Sequence, residues 1–252
     1  MEGILIVDKP IGWTSHDIVA VCRRQAAGAR TGHGGTLDPR ASGVLPVLFG
    51  GATKFVDRLH TAPKVYGAQI LFGTETATDD GEGEVTRQAP VPTLTPADLE
   101  AALDAFRGPI TQVPPDHSAV KVAGRRAYSR ARAGEELTLR SREVRVLRFD
   151  PALWYPPSLR CVIVCSSGTY IRSIARDLGR ALGSAAHLAG LVRLAVGALE
   201  LGEAVPIETV RAASADELAR RLLAADDQVL PLAERFLSAP ANRLLLDLMP
   251  PA

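Results

Sequence analysis

The sequence predicts an α+β domain built on a mixed, largely antiparallel sheet with flanking helices, and three observations carry that prediction. Short strand-like runs and helical spacings follow one another irregularly, without the repeating βαβ unit of a parallel sheet. The 252 residues are 46% hydrophobic and 23% charged, near the averages of globular chains, which excludes disordered, collagen-like and coiled-coil classes. The longest unbroken apolar runs, such as Val44 to Phe49 and Cys161 to Cys165, fall far short of the roughly 20 residues of a membrane span. The first residues lack the basic segment and long apolar stretch of a secretory signal, so the expected compartment is the cytoplasm. The length suits one domain, expected over 1–203, with a short helical C-terminal extension over 204–252.

The elements follow in order. Gly3 to Val7 reads as a strand that stops at Asp8, Lys9 and Pro10, since proline cannot donate to a central ladder. Thr14 or Ser15 caps a helix whose apolar face is Ile18, Val19 and Cys22, with Arg23 and Arg24 near its C-terminal end and a stop near Gly28. Thr31 to Gly43, TGHGGTLDPRASG, has glycine, proline and small polar residues without periodicity and reads as a loop. Val44 to Phe49 is a strand, Gly51 to Leu59 a helix, Tyr66 to Phe72 a strand, and Thr74 to Glu84 an acidic loop. Thr95, Pro96 and Asp98 start a second capped helix with Leu99, Leu103 and Phe106 inward, ended by Gly108 and Pro109. A short strand at Ala119 to Val122, a basic helix around Tyr128 to Arg132, strands at Val144 to Phe149 and Leu159 to Cys165, and a helix from Thr169 to Leu182 complete the domain. Beyond Ala204 the pattern is acidic and helical, with Leu218, Leu222 and Leu223 on one face.

The 29 basic and 28 acidic residues nearly cancel, so a nucleic-acid partner has to be argued from local patches. Ala119 to Arg148 holds nine Lys or Arg against three Glu, whereas Thr74 to Asp104 holds eight acids against one Arg. The three cysteines, Cys22, Cys161 and Cys165, are too few for a disulfide framework or a four-ligand zinc site and read as buried small hydrophobes. Nucleotide motifs fail: Leu37 stands where a Rossmann loop beginning at Gly32 and Gly34 needs glycine, and Thr53 precedes Lys54, the reverse of a phosphate-binding loop. Five histidines, at 16, 33, 60, 117 and 187, are far apart, so no metal site is expected. No serine sits in a GxSxG elbow. What remains is one carboxylate, Asp38, inside a loop whose glycines let the backbone approach a ligand closely. Taken singly, an Asp before a Pro is an ordinary turn residue, Tyr66 and Tyr170 are ordinary core aromatics, and Arg172 is an ordinary ion-pair partner.

Their joint pattern is more specific. DKPIGWTS at Asp8 to Ser15, GHGGTLDPRASGVLPVLFGGATK at Gly32 to Lys54, KVYGAQILFG at Lys64 to Gly73, QVPPDHSAVKVAGRRAY at Gln112 to Tyr128 and SGTYIRSIARDLG at Ser167 to Gly179 occur in one order over about the first 200 residues. In these motifs the chain closely resembles the TruB family, the bacterial tRNA pseudouridine-55 synthases. The resemblance implies the pseudouridine synthase fold over 1–203 and isomerisation of uridine at position 55, in the T-loop of tRNA, without cofactor or metal. It places the catalytic nucleophile on Asp38 and an activating guanidinium on Arg172. Tyr66 resembles the tyrosine that packs on the uracil and takes the C5 proton, Tyr170 and Leu191 resemble pocket walls, and His33 resembles the residue that fills the space left by the flipped base. Lys121, Arg125, Arg126, Arg130 and Arg132 are then expected on phosphates of the T-arm.

Residue chemistry leaves three roles open for the carboxylate: attack on the sugar, attack on the base, or removal of a sugar proton. The chain departs from the family pattern at His117, Gly34 and Val192, and the resemblance leads to an expectation of no full C-terminal PUA domain in the 204–252 extension. Two rivals accompany the reading. One is the related catalytic subunit of guide-RNA machines, the other a tRNA-binding chaperone that keeps the fold without the chemistry. The expected partner is tRNA, through its T-arm, with no guide RNA and no membrane, and the protein is expected to be a monomer.

Overall fold

The computed structural model describes residues 1–116, 121–122, 125–126 and 139–245. In chain order the elements are β1 (Gly3–Lys9), α1 (Ser15–Gln25), β2 (Thr31–His33), β3 (Ala41–Phe49), α2 (Val56–Thr61), β4 (Lys64–Phe72), β5 (Thr74–Thr76), β6 (Val85–Gln88), α3 (Pro96–Asp104), β7 (Gly108–Gln112), β8 (Lys121–Val122), β9 (Arg125–Arg126) and β10 (Arg142–Tyr155). They continue with β11 (Ser158–Cys165), α4 (Ile171–Ala181), β12 (Ala186–Val196), β13 (Leu199–Glu200), β14 (Val205–Pro206), α5 (Ile207–Ala212), α6 (Ala215–Ala219), α7 (Arg235–Ser238) and α8 (Ala241–Leu245). The result is an α+β fold on a mixed, largely antiparallel sheet, as the sequence predicts. The described residues group into two compact units, the first from Met1–Gly67 and Leu191–Ala239, the second from Ala68–Gly190 and Pro240–Leu246.

In the first unit the strand order is β14-β1-β3-β12, with β2 added to β3 and β13 to β12. β1 pairs antiparallel with β3, and β12 pairs parallel with β3 through Leu191↔Ala41, Val192↔Ser42 and Arg193↔Gly43. The near-continuous apolar runs of β1 and β3 are explained by burial of both faces, since neighbouring side chains of a strand point opposite ways. Leu5, Val7, Leu45, Val47 and Phe49 pack with Ile18 and Cys22 of α1 and with Val205, Ile207, Val210 and Leu218. Ile4, Ile6, Val44 and Leu48 pack with Leu59, Val196, Leu199 and Val229. Helix α1 begins where its sequence says it should: Asp17 N–H donates to Thr14 Oγ1 at 3.1 Å and Thr14 N–H donates to Asp17 Oδ2 at 2.9 Å, a capping box.

In the second unit the order is β12-β4-β11-β10-β7, with β10 antiparallel to both β11 and β7. Thr95 and Asp98 form a second capping box at the head of α3, and Phe106 meets Phe149 edge-on at 6.4 Å. Helix α4 buries Ile171, Ile174, Ala175 and Leu178. The three cysteines are buried and free, and burial pushes the Cys22 thiol up to about 12.

Several boundaries differ from the sequence expectation, each for a physical reason. The expected loop 31–43 contains β2, which pairs with Phe49 to Val47, and loses Ala41 to Gly43 to β3 because β12 pairs there. The expected helix 51–59 is a 3-10 turn at Gly50–Phe55 followed by α2. The expected acidic loop 74–84 opens on β5, which pairs with β6. Strand β10 extends on both sides of 144–149 by pairing with β7 and β11. Helix α4 starts at Ile171 rather than at Thr169. Strand β12 has no counterpart in the sequence reading. Of the expected C-terminal face, Leu218 is buried and Leu223 is 41% exposed, held instead by a backbone bridge to Ile4. The expected helix at 128–132 and His117 lie outside the described residues.

Candidate active site

In the first unit Asp38 lies in the six-residue stretch 35–40 of the loop between β2 and β3, half-buried, and the loop's main chain is fixed at nearly every step. The Ser15 hydroxyl donates to the Leu37 carbonyl at 3.1 Å and accepts from the Leu37 N–H at 2.9 Å. Gly12 N–H donates to the Pro39 carbonyl, Gly34 N–H to Pro46, and Ala41 N–H to the carbonyl of Asp38 itself. Gly34 is buried, and a Cβ there would come within 3.0 Å of Leu59 Cδ1, so the small residue at this departure from the family pattern fits its surroundings.

Two buried cations complete the bracing. Lys9, read from sequence as the end of a strand, is 0% exposed and its ammonium donates to the carbonyls of Pro10, Trp13 and Pro39 at 2.9, 2.7 and 3.4 Å. Burial pushes the Lys9 amine down to about 8, against the opposing pull of the Asp38 carboxylate. Arg193 is 1% exposed and donates from Nε to Val44 O at 2.7 Å, from Nη1 to Thr36 O at 3.3 Å and from Nη2 to Gly35 O at 3.1 Å. Its backbone runs so close to β3 that a Cβ on Gly43, at φ +99°, would sit 2.3 Å from the Arg193 carbonyl oxygen. Neither cation was singled out as a site residue from the sequence. The signals available were Asp8-Lys9-Pro10 in the first motif and the glycine at 43, whose strand neighbour only the fold reveals.

Three other expected residues belong to the same unit. His33 ends β2, its Nδ1 accepts from Gly35 N–H at 3.4 Å, and burial, helped by the charge of Arg193, holds its imidazole below the usual range. Tyr66 lies on β4, and its hydroxyl is hydrogen-bonded by the Arg193 guanidinium, which offsets the burial that drives Arg193 downward. Leu191 pairs with Ala41 three residues beyond Asp38.

Tyr170 and Arg172 belong to the second unit, at the head of α4. The Gln112 amide clamps the Tyr170 backbone, accepting from its N–H and donating to its carbonyl, both at 3.1 Å, while the Arg142 guanidinium lies 4.3 Å from the centre of its ring. Arg172 is buried, donates from Nη1 to Thr78 O at 3.0 Å and approaches Asp80 Oδ2 at 3.5 Å. The turn it meets is itself pinned: Arg176 donates to Asp79 Oδ2 at 2.7 Å, and Thr78 Oγ1 donates to Asp80 Oδ1 at 2.5 Å. Asp79 takes a positive φ of 58°, and burial, opposed by Arg176 and Arg172, pushes its carboxyl up to about 6. The expected acidic loop therefore supplies counter-charge to α4.

Of the expected phosphate contacts, Lys121, Arg125 and Arg126 lie in β8 and β9, which pair antiparallel through Lys121↔Arg126, whereas Arg130 and Arg132 lie outside the described residues. Among the described residues no group of three or more His, Cys, Asp or Glu side chains could hold a metal ion. No helix among them is long and apolar enough to cross a membrane.

The mixed, largely antiparallel sheet is that of the pseudouridine synthases, a class of isomerases. The model of the TruB family pseudouridylate synthases, N-terminal domain, matches residues 23–171, and the chain belongs to that family. It is 47% identical over 252 residues to the tRNA pseudouridine synthase B of Thermobifida fusca (strain YX), across 96% of this chain and 82% of that protein. It is 43% identical over 253 residues to the tRNA pseudouridine synthase B of Ralstonia nicotianae, across 98% of this chain and 79% of that one. Among solved structures, the fold matches a chain of a Cbf5-Nop10-Gar1 complex with a TM-score of 0.64 and 29% identity, covering 82% of this chain and 52% of that one, so this chain spans about half of its length. An H/ACA RNP bound to a substrate RNA containing 2'-deoxyuridine shares the fold with a TM-score of 0.64 at 23% identity.

Proposed function

We propose that this chain isomerises uridine to pseudouridine at position 55, in the T-loop of tRNA, with Asp38 as the nucleophile and with neither guide RNA nor cofactor. The observation that carries the reading is the braced loop: Ser15, Lys9 and Arg193 fix the main chain around a half-buried carboxylate. Holding a reacting group in place before the substrate arrives is how positioning lowers a barrier. The reaction breaks the bond from uracil N1 to ribose C1′, turns the base and joins C5 to C1′. A proton leaves C5 and N1 regains one, so atoms and electrons balance without an oxidant or a transferred group. A carboxylate that attacks and is later expelled returns unchanged.

Each other residue has a physical task in this reading. The base must leave its stack, at a cost of a few kcal/mol, and Tyr66 offers a face on which it can stack, which is worth about 1–3 kcal/mol. Arg172, which uses Nη1 on Thr78 and has five donors, is read as the activating guanidinium. Tyr170 and Leu191 wall the pocket and His33 takes the vacated place in the loop. Lys121, Arg125, Arg126, Arg130 and Arg132 hold phosphates of the T-arm, and the protein acts as a monomer in the cytoplasm. Support for tRNA as the substrate comes from the relatives of 43–47% identity.

The test is to incubate the purified protein, in EDTA, with a tRNA transcript and nothing else, and to map pseudouridine by position. The reading expects one converted uridine, in the T-loop. Conversion that needs a divalent ion even with the tRNA kept folded by other means, or that falls outside the T-loop, contradicts it.

A further inference from the structure

Arg193 is the largest fully buried side chain among the described residues, and its guanidinium touches both the loop that carries Asp38 and the tyrosine on β4. A guanidinium has five N–H donors and no lone pair. Toward every partner it can only donate, so the Tyr66 oxygen is fixed as the acceptor in their hydrogen bond. Its remaining bonds go to the carbonyls of Gly35 and Thr36, three and two residues before Asp38, and of Val44 beyond it. A buried cation held by carbonyls is costly to fold, because dipoles replace its lost hydration only in part. For structure alone, an apolar side chain of similar volume is often as good.

We propose that Arg193 is a positioning residue of the isomerisation: it holds the Asp38 loop and Tyr66 in one register and keeps the Tyr66 oxygen an acceptor, ready to take the C5 proton. For that step the tyrosine first gives its own proton to solvent. Its phenolate then takes the C5 proton, and the electron pair of the C–H bond returns to the ring as the C5–C6 double bond. A permanent positive charge hydrogen-bonded to the oxygen favours that phenolate. The inference rests on the role read for Tyr66 above.

Other charged groups of the first unit near this pair leave the assignment to Arg193 intact. His33 on β2 and His60 on α2 are both held below the usual imidazole range by burial, so they are neutral where tyrosines ionise. Lys9 on β1, pushed down to about 8 by burial, sheds its charge before then. Lys64, at the start of β4, points its ammonium at the carbonyls of Leu59, His60 and Ala62. Asp38, when ionised, opposes the phenolate. Arg193 is therefore the cation that stays charged and bonded to the oxygen throughout.

The experiment is a titration of the free protein carrying 13Cζ-labelled tyrosine, followed by NMR. The chain has four tyrosines, the Tyr66 signal is assigned with Tyr66→Phe, and Tyr155, 75% exposed, serves as the internal reference. Tyr66 is expected to ionise at a pH at least one unit below Tyr155, a tenfold larger ionised fraction. Arg193→Lys, which keeps a charge but loses the planar fork, should move Tyr66 partway toward Tyr155, and Arg193→Gln should move it further. The alkaline or neutral limb of the single-turnover rate against pH should shift the same way. Tyr66 ionising with or above Tyr155 in the wild type overturns the proposal, and so does a Tyr66 midpoint unmoved in Arg193→Lys. If Arg193→Gln fails to fold, the wild-type and Arg193→Lys titrations still decide. A protein with a lowered Tyr66 and no activity on tRNA would instead refute the isomerase reading, so the two failures are distinguishable.

Discussion

Lys9, Lys64 and Arg193 in the first unit are held by main-chain carbonyls, whereas in the second unit Arg172, Arg176 and Arg180 face the carboxylates of Asp80, Asp79 and Glu75. Both arrangements satisfy buried donors, but they leave different fields behind. Carbonyl dipoles neutralise a cation only partly, so the loop around Asp38 keeps a positive potential. Carboxylates neutralise these arginines, which ties α4 to the acidic stretch while adding little net charge. The first unit thus keeps local positive charge, whereas the second cancels it.

Three predictions break or sharpen this contrast, and they run from the largest effect to the smallest. Gly43→Ala should be the most damaging, because it forces alanine to φ +99° and drives a Cβ to 2.3 Å from the Arg193 carbonyl. Backbone strain and overpacking together predict a loss of about 3–5 kcal/mol in denaturant unfolding, with the Asp38 loop released. A variant that unfolds within about 1 kcal/mol of the wild type would mean that the close approach of β3 and β12 is not a constraint.

The second concerns Asp79. Its carboxyl is pushed up to about 6 by burial, so the folded protein binds this proton more tightly than the unfolded chain. Its contribution to stability is therefore complete below about pH 4 and is lost as pH rises through 6, by on the order of 3 kcal/mol. Asp79→Asn should flatten the stability profile in that window, measured by chemical denaturation at a series of pH values. A slope unchanged in the variant would assign it to another group.

The smallest effect is expected from the basic stretch. Replacing Arg125, Arg126 and Arg130 by Ala should weaken tRNA binding evenly and lower the salt slope by about 2–3, leaving turnover at saturating tRNA nearly unchanged. An unchanged slope would reduce this stretch to a solvated face and leave the cations of the first unit as the main source of positive potential.

The sequence makes some of this architecture legible and hides the rest for local reasons. Thr14-x-x-Asp17 and Thr95-x-x-Asp98 announce their helices because a capping box is a contact within four residues. Strand β12 is missed because Gly190 and the charged Arg193 interrupt its apolar run, and what makes it a strand is pairing with Ala41 to Gly43, far away in sequence. Lys9 and Arg193 escape for the same reason: charged residues are rarely buried, and nothing nearby in sequence reveals that distant carbonyls await them. Residue chemistry alone leaves Asp38 an ordinary turn residue; its standing comes from a family resemblance, while the bracing of its loop appears only in three dimensions.

The central claim is that the Asp38 carboxylate does the chemistry while the loop around it needs only its backbone. Asp38→Asn keeps the size and hydrogen-bonding shape of the side chain and removes its charge, so single-turnover pseudouridine formation measured beside filter binding and a thermal melt isolates that claim. The account predicts a loss of about 10⁴-fold or more in rate, with tRNA affinity and melting temperature close to wild type. Retention of even a tenth of the wild-type rate would show that Asp38 is not the nucleophile, and loss of folding along with activity would return it to the role of a turn residue.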